Sequence, residues 1–221
     1  MLNVTVRRAT AVETKAVADM WVRAAAALAR AGLDQWQYPV KLHNIRAAIA
    51  AGTCWFAHDP AGAVVGTITV DQDADGEMWL PEDNPDDALH LHRMITEPTA
   101  KGIELGSALI DWSARRAADA GHKWIRLDAW RSNTALWKYY TDRAFELVRV
   151  VPDASGSGAC FQRDATVQLG RAGRAAGAGP IARRSAGGGP GASADPGMEP
   201  RSYRVRTQRL LVLPFRYDEL L

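Results

Sequence analysis

Cysteine is scarce in this sequence of 221 residues: only Cys54 and Cys160 occur, and they lie far apart along the chain. Neither stands at a metal-binding spacing from a histidine, so we expect no zinc site and no other metal centre. Two separated cysteines also favour reduced thiols in a cytoplasmic protein over a disulfide framework.

Long apolar runs and a strong excess of one charge are absent as well. The apolar stretch at residues 24–29 is far shorter than the roughly 20 residues that a membrane-spanning helix needs. The first residues also lack the apolar stretch of a signal peptide. The formal net charge is only +2, which gives no reason to expect a nucleic-acid or membrane partner. We therefore expect a soluble protein with one well-buried core.

Hydrophobic periodicity predicts alternating strands and helices. Strands are expected at residues 3–8, 53–58, 63–70, 88–96, 124–129, 145–151 and 158–162. Helices are expected at residues 10–31, over a short segment ending near residue 51, at residues 105–120, and over the segment that carries Asn133 and Tyr140. Thr10 and Glu13 form a capping box for the first helix, and Ser132 is the expected N-cap of the last one. This order, β-α-α-β-β-β-α-β-α-β-β, predicts a mixed α/β layer arrangement.

The chain changes character after about residue 164. Residues 170–200 consist almost entirely of Gly, Ala, Pro, Ser and Arg, a composition that buries too little apolar area to offset the entropy of ordering. We therefore expect a folded domain at residues 1–164, a disordered linker at residues 165–202, and a short segment of undefined structure at residues 203–221.

The most informative stretch runs from residue 98 to residue 145. A glycine-bearing turn, Pro98-Thr-Ala-Lys-Gly-Ile-Glu-Leu-Gly106, precedes a helix, and main-chain N–H groups at such a helix start can hold a pyrophosphate. On a later helix, Tyr140 follows Asn133 by about two turns, where its phenol can supply a proton. Together the two segments indicate chemistry on a phosphate-bearing carrier.

These segments resemble those of the GNAT superfamily of acetyl-CoA-dependent N-acetyltransferases, and the resemblance extends over about residues 3–164. The family's phosphate loop, Arg/Gln-x-x-Gly-x-Gly/Ala, falls on Lys101, Glu104 and Gly106. The resemblance implies an α/β fold with a mixed, mostly antiparallel sheet flanked by helices, followed here by the disordered C-terminal extension. It also implies acetyl-CoA as the co-substrate.

The family's Asn-x-x-Ala…Leu-Tyr…Gly-Phe segment approximately matches Asn133, Tyr140 and Phe145, with Ala144 in place of the glycine. By the resemblance, Asn133 contacts the cofactor arm, Tyr140 faces its sulfur, and main chain of the strand before the loop contacts the acetyl group. The implied cofactor-binding residues are Met94, Ile95, Thr96, Lys101, Gly102, Ile103, Glu104, Leu105, Gly106, Ser107 and Asn133.

Two departures from the family pattern bear on the phosphate loop. Lys101 keeps a positive charge but lacks the bidentate fork of arginine. Glu104 places a carboxylate in the loop, which costs roughly 1–4 kcal/mol if it points at a pyrophosphate about 4 Å away. An outward Glu104 side chain would leave the main-chain N–H available and so preserve the site.

Acetyl transfer to an amine needs donors for the thioester oxygen, a base for the ammonium, and an acid for the departing thiolate. Main-chain N–H groups at residues 94–96 are the expected donors, provided that a bulge or splay frees them from strand pairing. Tyr140 is the expected acid, a role that contributes roughly 100–10,000-fold. The alternative makes Tyr140 an aromatic packed in the core.

His90 and His92 are the candidate bases. They lie two residues apart on one predicted strand, so their side chains project to the same face. The usual pKa of histidine, about 6.5, suits proton transfer at neutral pH. The run His-Leu-His also resembles that of arylalkylamine N-acetyltransferases, in which the pair assists deprotonation. Alternatively, both are ordinary half-buried strand side chains.

Two loops are expected to border the acceptor. Trp36 and Tyr38 are the candidate walls of an acceptor pocket, because aromatic side chains supply contact area there; plain packing is the alternative. Asp71, Asp73 and Glu77 are candidates to attract a cationic acceptor, with a solvated acidic loop as the alternative.

The sequence therefore predicts an N-acetyltransferase that transfers acetyl directly from acetyl-CoA to a primary amine of a small molecule. Two alternatives remain: a protein N-terminal or lysine acetyltransferase, and an acetyl-CoA-binding regulatory module without catalysis, as Glu104 and Ala144 suggest. A third hypothesis makes the Arg-bearing tail a nucleic-acid tether. The resemblance also leaves a homodimer open, because family members often pair.

Overall fold

One mixed sheet runs through the computed structural model, which describes residues 4–97, 104–152, 154 and 156–169. Its strands are β1 (Thr5–Arg8), β2 (Cys54–His58), β3 (Val64–Asp71), β4 (Ala88–Thr96), β5 (Trp124–Trp130), β6 (Glu146–Val150) and β7 (Ser157–Asp164). The helices of the same residues are α1 (Thr14–Arg30), α2 (Leu42–Ala50), α3 (Leu105–Asp119) and α4 (Thr134–Thr141). Short 3₁₀ turns lie at Ala11–Glu13, Pro81–Asp83 and Pro85–Asp87.

The order of the strands in the sheet is β1-β2-β3-β4-β5-β7-β6. Neighbouring strands are antiparallel except β4 and β5, which run parallel. This confirms the predicted mixed, mostly antiparallel α/β fold and the predicted order of its elements. Strand β4 begins and ends at the residues that the sequence predicts.

Helices cover both faces of the sheet. Helix α3 packs against β3, β4 and β5 through the predicted apolar stripe of Leu105, Leu109 and Trp112, all of which are buried. Helices α1 and α2 cover the other face, where Trp21 and Ile45 join a second cluster of buried residues. Each large apolar side chain that is fully buried stabilises the fold by roughly 1.5–3 kcal/mol, so the sheet is held firmly between two apolar layers.

The parallel strands β4 and β5 are paired only at their beginnings. The pairs join Ala88–Leu89–His90 of β4 to Trp124–Ile125–Arg126 of β5. No ladder pairing continues beyond His90 and Arg126, although both strands extend to Thr96 and Trp130. The two strands therefore splay apart and leave main-chain groups of β4 open toward β5.

Strand β4 also carries a bulge on its other edge, where it pairs with β3. Thr69 lies opposite His92 and Thr67 lies opposite Ile95, so β4 uses one residue more than β3 between these points. Arg93 lies in the bulge with φ of 48°, in the left-handed region. The bulge and the splay are the two features that the sequence argument required for free N–H groups near residues 94–96.

The turn after α4 contains an alanine in the left-handed region. Ala144 has φ of 61°, and its N–H donates to the Thr141 carbonyl at 3.1 Å. The Phe145 N–H donates to the Tyr140 carbonyl at 3.1 Å, which closes the end of the helix. A non-glycine residue pays about 1–2 kcal/mol for this conformation, so a glycine would fit better at position 144.

The N-cap of α4 differs from the predicted one. Asn133, not Ser132, caps the helix, because Asn133 Oδ1 accepts a hydrogen bond from the Leu136 N–H at 3.0 Å. The Ser132 hydroxyl instead donates to Asp34 in the loop between α1 and α2. A long-range partner therefore decides which of two adjacent capping residues closes the helix.

The folded part continues past residue 164, where the sequence predicts a linker to begin. Ala165 is buried, and Leu169 packs against the core while its N–H donates to Asp111 Oδ1 at 2.9 Å. Residues 170–221, which include most of the predicted linker and the predicted terminal segment, lie outside the described residues. Among the described helices, none is long and apolar enough to cross a bilayer.

Candidate active site

The predicted phosphate loop meets the N-terminus of α3. Main-chain N–H groups of a first helical turn have no intrahelical acceptor. Within the described residues, no acceptor bonds to the N–H of Leu105, Gly106 or Ser107. These donors, together with the positive end of the helix dipole, can bind an anion. The remaining predicted loop residues, Lys101, Gly102 and Ile103, lie outside the described part of the chain.

Gly106 lies beneath an aromatic side chain of α4. A Cβ atom at this position would lie 2.1 Å from Tyr139 Oη, so only glycine fits without movement. The Met94 side chain of β4 also reaches this point, with its Cε 4.0 Å from the same Cβ position. The end of β4, the start of α3 and the body of α4 therefore meet at Gly106. The sequence argument missed Tyr139 and selected only its neighbour.

Glu104 folds back onto the first turn of its own helix. Its carboxylate accepts a hydrogen bond from the Ser107 hydroxyl at 2.8 Å and forms an ion pair with Arg143 at 3.6 Å. Arg143 in turn donates from Nε to Ser107 Oγ at 2.8 Å and stacks its guanidinium 3.5 Å above the Tyr139 ring. The local charge of Glu104 is thus balanced by an arginine that the sequence argument did not single out.

The main chain that was predicted to contact the acetyl group lies just beyond the bulge. Ile95 and Thr96 pair with Thr67 and Gly66 of β3, and none of the described strands pairs with their β5-facing edge. The Ile95 side chain is buried in the cluster beneath α1 and α2, whereas Met94 is half-buried next to α3. This segment can therefore offer main-chain groups to a ligand that enters the splay.

Tyr140 is buried among aromatic rings but keeps its hydroxyl unbonded. Its ring lies 5.5 Å from those of Phe145 and Tyr139 and 6.0 Å from that of Phe161. No described residue forms a hydrogen bond with its hydroxyl, so the packing and catalytic interpretations are compatible. Burial, assisted by Tyr139 and the charge of Asp128, raises the pKa of the Tyr140 phenol. The phenol therefore remains protonated and able to donate at neutral pH.

His92 is paired with an acidic residue of the neighbouring strand. His92 Nε2 lies 3.1 Å from Asp71 Oδ1, and both side chains are about one-fifth exposed. Although burial opposes ionisation of Asp71, the hydrogen bond and charge of His92 hold the pKa of that carboxyl below its usual range. An ionised carboxylate beside an imidazole stabilises the imidazolium that forms when the ring accepts a proton.

His90 occupies a different environment from His92. Only 1% of it is exposed, its ring lies 5.7 Å from that of Trp79, and its Nε2 has no partner within the described residues. Burial, with a smaller contribution from the charge of His92, lowers the pKa of His90 to about 4. His90 is therefore neutral at pH 7 and packed behind the more accessible His92, with 6.3 Å between the two ring centres.

Asp128 lies on β5 just past the last pair between β4 and β5. Arg126, two residues earlier, is the last residue of β5 that pairs with β4, and its guanidinium donates to the carbonyl groups of Asp83 and Asn84. Burial raises the pKa of the Asp128 carboxyl, and the charge of His92 acts in the opposite direction. Asp128 carried no sequence signal, since its role depends on where the two strands separate. The described residues contain no cluster of His, Cys, Asp or Glu that could hold a metal ion.

Trp36 and Tyr38 lie on the loop between α1 and α2, as predicted, and both rings lie near Trp21, but only Tyr38 also reaches β5. The Trp36 ring packs 4.8 Å from that of Trp21 and joins the apolar cluster there. The Tyr38 ring lies 6.3 Å from that of Trp130 at the end of β5, and 39% of Tyr38 is exposed. Tyr38 is thus the better placed of the two to contact an acceptor.

Two hydrogen-bonded pairs attach this loop to β5 and α4. Asp34 Oδ1 accepts from Trp130 Nε1 at 2.8 Å, and Asn133 Nδ2 donates to Gln35 Oε1 at 2.8 Å. The polar atoms of Asn133 are therefore used within the protein, one for the helix cap and one for the loop. Its predicted contact with the cofactor arm stays a prediction.

A family model for the acetyltransferase (GNAT) family matches residues 20–145 of the chain. The matched range contains the splay, the start of α3, the His92–Asp71 pair and Tyr140. No curated protein sequence matches the chain.

Solved structures share the fold. A GNAT-family acetyltransferase from Listeria monocytogenes is 23% identical with a TM-score of 0.62, and the match covers 73% of this chain and 94% of that one. The protein yncA from Salmonella typhimurium, solved with its cofactor acetyl-CoA, is 16% identical with a TM-score of 0.53 over 79% and 99% of the two chains. The paia N-acetyltransferase from Thermoplasma acidophilum, in complex with coenzyme A, is 13% identical with a TM-score of 0.53 over 73% and 98%.

Proposed function

Because the chain belongs to the acetyltransferase (GNAT) family, we propose that it transfers the acetyl group of acetyl-CoA directly to a primary amine of a small molecule. One observation supports the proposal: the β4–β5 splay lies near a histidine paired with a carboxylate and near a protonated tyrosine whose hydroxyl forms no hydrogen bond within the described residues. These are the base and the acid that amine acetylation requires.

The described residues fit acetyl-CoA in three respects. The unpaired N–H groups at Leu105, Gly106 and Ser107 suit its diphosphate. The open edge of β4 beyond His90 suits its amide-bearing arm, because that edge offers unpaired main-chain donors and acceptors. Arg143 supplies a nearby cation for a phosphate. When bound, acetyl-CoA supplies an acetyl group activated as a thioester.

His92 is the proposed base for the acceptor ammonium. It is accessible and paired with Asp71, which holds the imidazole in one orientation and stabilises its charged form. His90, the other predicted base, is neutral and buried, and we propose that it supports the position of His92 by ring packing. One proton of the ammonium then leaves through His92 to solvent.

Tyr140 is the proposed acid. The acceptor nitrogen forms a bond to the acetyl carbon while the carbon–sulfur bond breaks, with main-chain N–H groups near residues 94–96 stabilising the oxygen. One such donor is typically worth about 3–4 kcal/mol. Tyr140 donates its proton to the departing thiolate and regains one from the nitrogen, so protons balance over the cycle. Burial raises the pKa of its phenol, so the proton to be donated is in place at neutral pH.

A small acceptor is favoured over a protein by the aromatic wall at the splay. The Tyr38 and Trp130 rings stack 6.3 Å apart at the end of β5, and the loop that carries Tyr38 is bonded to β5 through Asp34, so we propose that this side of the splay is closed to a peptide. Both cysteines are free and buried, which supports a location in the reducing cytoplasm.

Calorimetric titration with acetyl-CoA, followed by thiol release over a panel of amines, tests the proposal. We expect micromolar to low millimolar affinity for acetyl-CoA and amine-dependent release of coenzyme A. Absence of binding at millimolar acetyl-CoA would refute the enzyme and the regulatory module together. Binding without release for any amine would instead favour the regulatory module.

A further inference from the structure

Arg93 carries a positive charge beside the proposed base, and Asp71 lies within electrostatic range of that charge without bonding to it. It lies in the bulge of β4 with φ of 48°, and its side chain is half-buried. Within the described residues its one hydrogen bond runs from Nη2 to Thr69 Oγ1 at 3.3 Å, and it forms no ion pair. A guanidinium has five N–H donors, so most of them are left for another acceptor.

Asp128 provides a carboxyl group on the opposite strand. It lies two residues beyond the last paired residue of β5, Arg126, and His92 lies two residues beyond the last paired residue of β4, His90. His92 and Asp128 therefore flank the splay at the same depth. Within the described residues Asp128 forms no ion pair, so its carboxylate can receive a cation that enters between the strands.

Tyr38 lies within electrostatic range of both Arg93 and Asp128. Burial raises the pKa of its phenol, the charge of Arg93 counteracts that rise and the charge of Asp128 adds to it, so both groups lie within electrostatic range of one hydroxyl. The Tyr38 ring also lies against Trp130, which is on the same strand as Asp128. The space before His92 is thus bounded by a cation, an anion and an aromatic face.

We infer that the acceptor is a zwitterion of the α-amino-acid class, with its carboxylate on Arg93 and its amino group between His92 and Asp128. This rests on the proposed function. Arginine binds a carboxylate through two parallel hydrogen bonds, which a simple amine does not use. An amine without a carboxylate would leave the Arg93 guanidinium desolvated and unpaired, and such a site discriminates strongly against the analogue that lacks the group.

The decisive experiment compares three matched pairs of acceptors: L-phenylalanine with phenethylamine, L-methionine with 3-(methylthio)propylamine, and L-lysine with 1,5-diaminopentane. For wild-type protein with acetyl-CoA, we expect kcat/KM for at least one amino acid to exceed that for its amine by about 100-fold or more. Arg93→Met should reduce that ratio at least tenfold, because kcat/KM should fall more for the amino acid than for its amine. Arg46→Met, on the exposed face of α2, is the matched control and should leave the ratio intact.

The variant Asp128→Asn tests the role of Asp128 independently of that of Arg93. Both members of a pair share the amino group, so this change should lower kcat/KM for both by the same factor and leave their ratio unchanged. A thermal melt of each variant tests whether it folds. If Arg93→Met does not fold, Arg93→Lys replaces it. Lysine keeps the charge without the bidentate fork, so Arg93→Lys should partly reduce the preference for the amino acid over its amine.

Three outcomes overturn the inference. The first is that the amine is preferred in every pair. The second is that Arg93→Met, or Arg93→Lys in its place, leaves the ratio unchanged. The third is that acetyl-CoA binds while all six compounds fail as acceptors. In the first two cases, acetyl transfer itself still stands as the function. Failure of acetyl-CoA to bind removes the proposed function and this inference together.

Discussion

His92 Nε2 lies 3.1 Å from Asp71 Oδ1, across the antiparallel pair of β3 and β4. The contact joins a histidine to a carboxylate that comes 21 residues earlier in the chain. It gives the proposed base a fixed orientation and a counter-charge for its protonated form.

Removing the proposed base should slow the chemical step. We expect His92→Gln to lower kcat by about 100-fold or more and Asp71→Asn to lower it by about tenfold, because Asp71 acts only through the ring. Acetyl-CoA affinity, measured by calorimetry, should change little in both. His43→Gln, an exposed histidine at the start of α2, is the control. A His92→Gln variant with full kcat would exclude His92 as the base.

Removing the phenol of Tyr140 should impair the protonation of the leaving group. We expect Tyr140→Phe to lower kcat roughly tenfold or more while acetyl-CoA affinity and the melting temperature stay nearly constant. Stability should persist because the hydroxyl has no partner within the described residues and the ring keeps its contacts with Phe145 and Phe161. Unchanged turnover would assign Tyr140 to packing alone.

Arg143 should matter for cofactor binding chiefly because it balances Glu104. We expect Arg143→Gln to weaken acetyl-CoA binding about tenfold or more, since it leaves a carboxylate at the start of α3 and removes a cation. Glu104→Gln should strengthen binding a few-fold by freeing Arg143. The double variant measures the coupling of the two residues, which we expect to be non-additive. Strictly additive changes would show that the ion pair has no influence on the cofactor.

Buried His90 should make stability depend on pH. Its pKa is about 4 in the folded protein and about 6.5 when unfolded, so between these values the unfolded chain binds more protons. The neutral, buried imidazole therefore contributes fully to the free energy of unfolding above about pH 6.5. This contribution is lost as the pH falls toward 4, and the loss amounts to up to about 3 kcal/mol. Denaturant unfolding at pH 7.5 and 5 should show a smaller loss for His90→Gln than for wild type. An equal loss would contradict the prediction.

Ala144→Gly should stabilise the fold by about 1 kcal/mol, because glycine adopts the left-handed conformation without steric cost. A gain of a few degrees in melting temperature should follow, with unchanged kcat. Ala118→Gly, in the exposed part of α3, is the control with the opposite sign, since glycine in a helix interior destabilises by about 1 kcal/mol. Two losses of similar size would show that position 144 is not strained.

Local signals were sufficient to predict the order of strands and helices, whereas the mostly antiparallel sheet was predicted from the family resemblance. The bounds of β4, the apolar stripe of α3 and the interaction of Glu13 with Thr10 depend on residues a few positions apart, so the sequence displays them directly. The glycine at position 106 and the pair Asn133–Tyr140 likewise predict the cofactor region through a local spacing. The N-cap of α4 is less predictable from local sequence. Asn133 caps the helix in place of the predicted Ser132, because the Ser132 hydroxyl donates to Asp34 in a distant loop.

The sequence by itself determined the order of strands and helices, because periodicity and turn residues act over short distances. Only the tertiary structure decided which charges meet: Asp71 with His92, Glu104 with Arg143, and Arg93 and Asp128 on either side of the splay. These pairings depend on sheet register, a bulge and the end of a parallel ladder, where a shift of one residue turns a side chain to the opposite face. For that physical reason, the proposed acceptor site could be argued only from the folded chain.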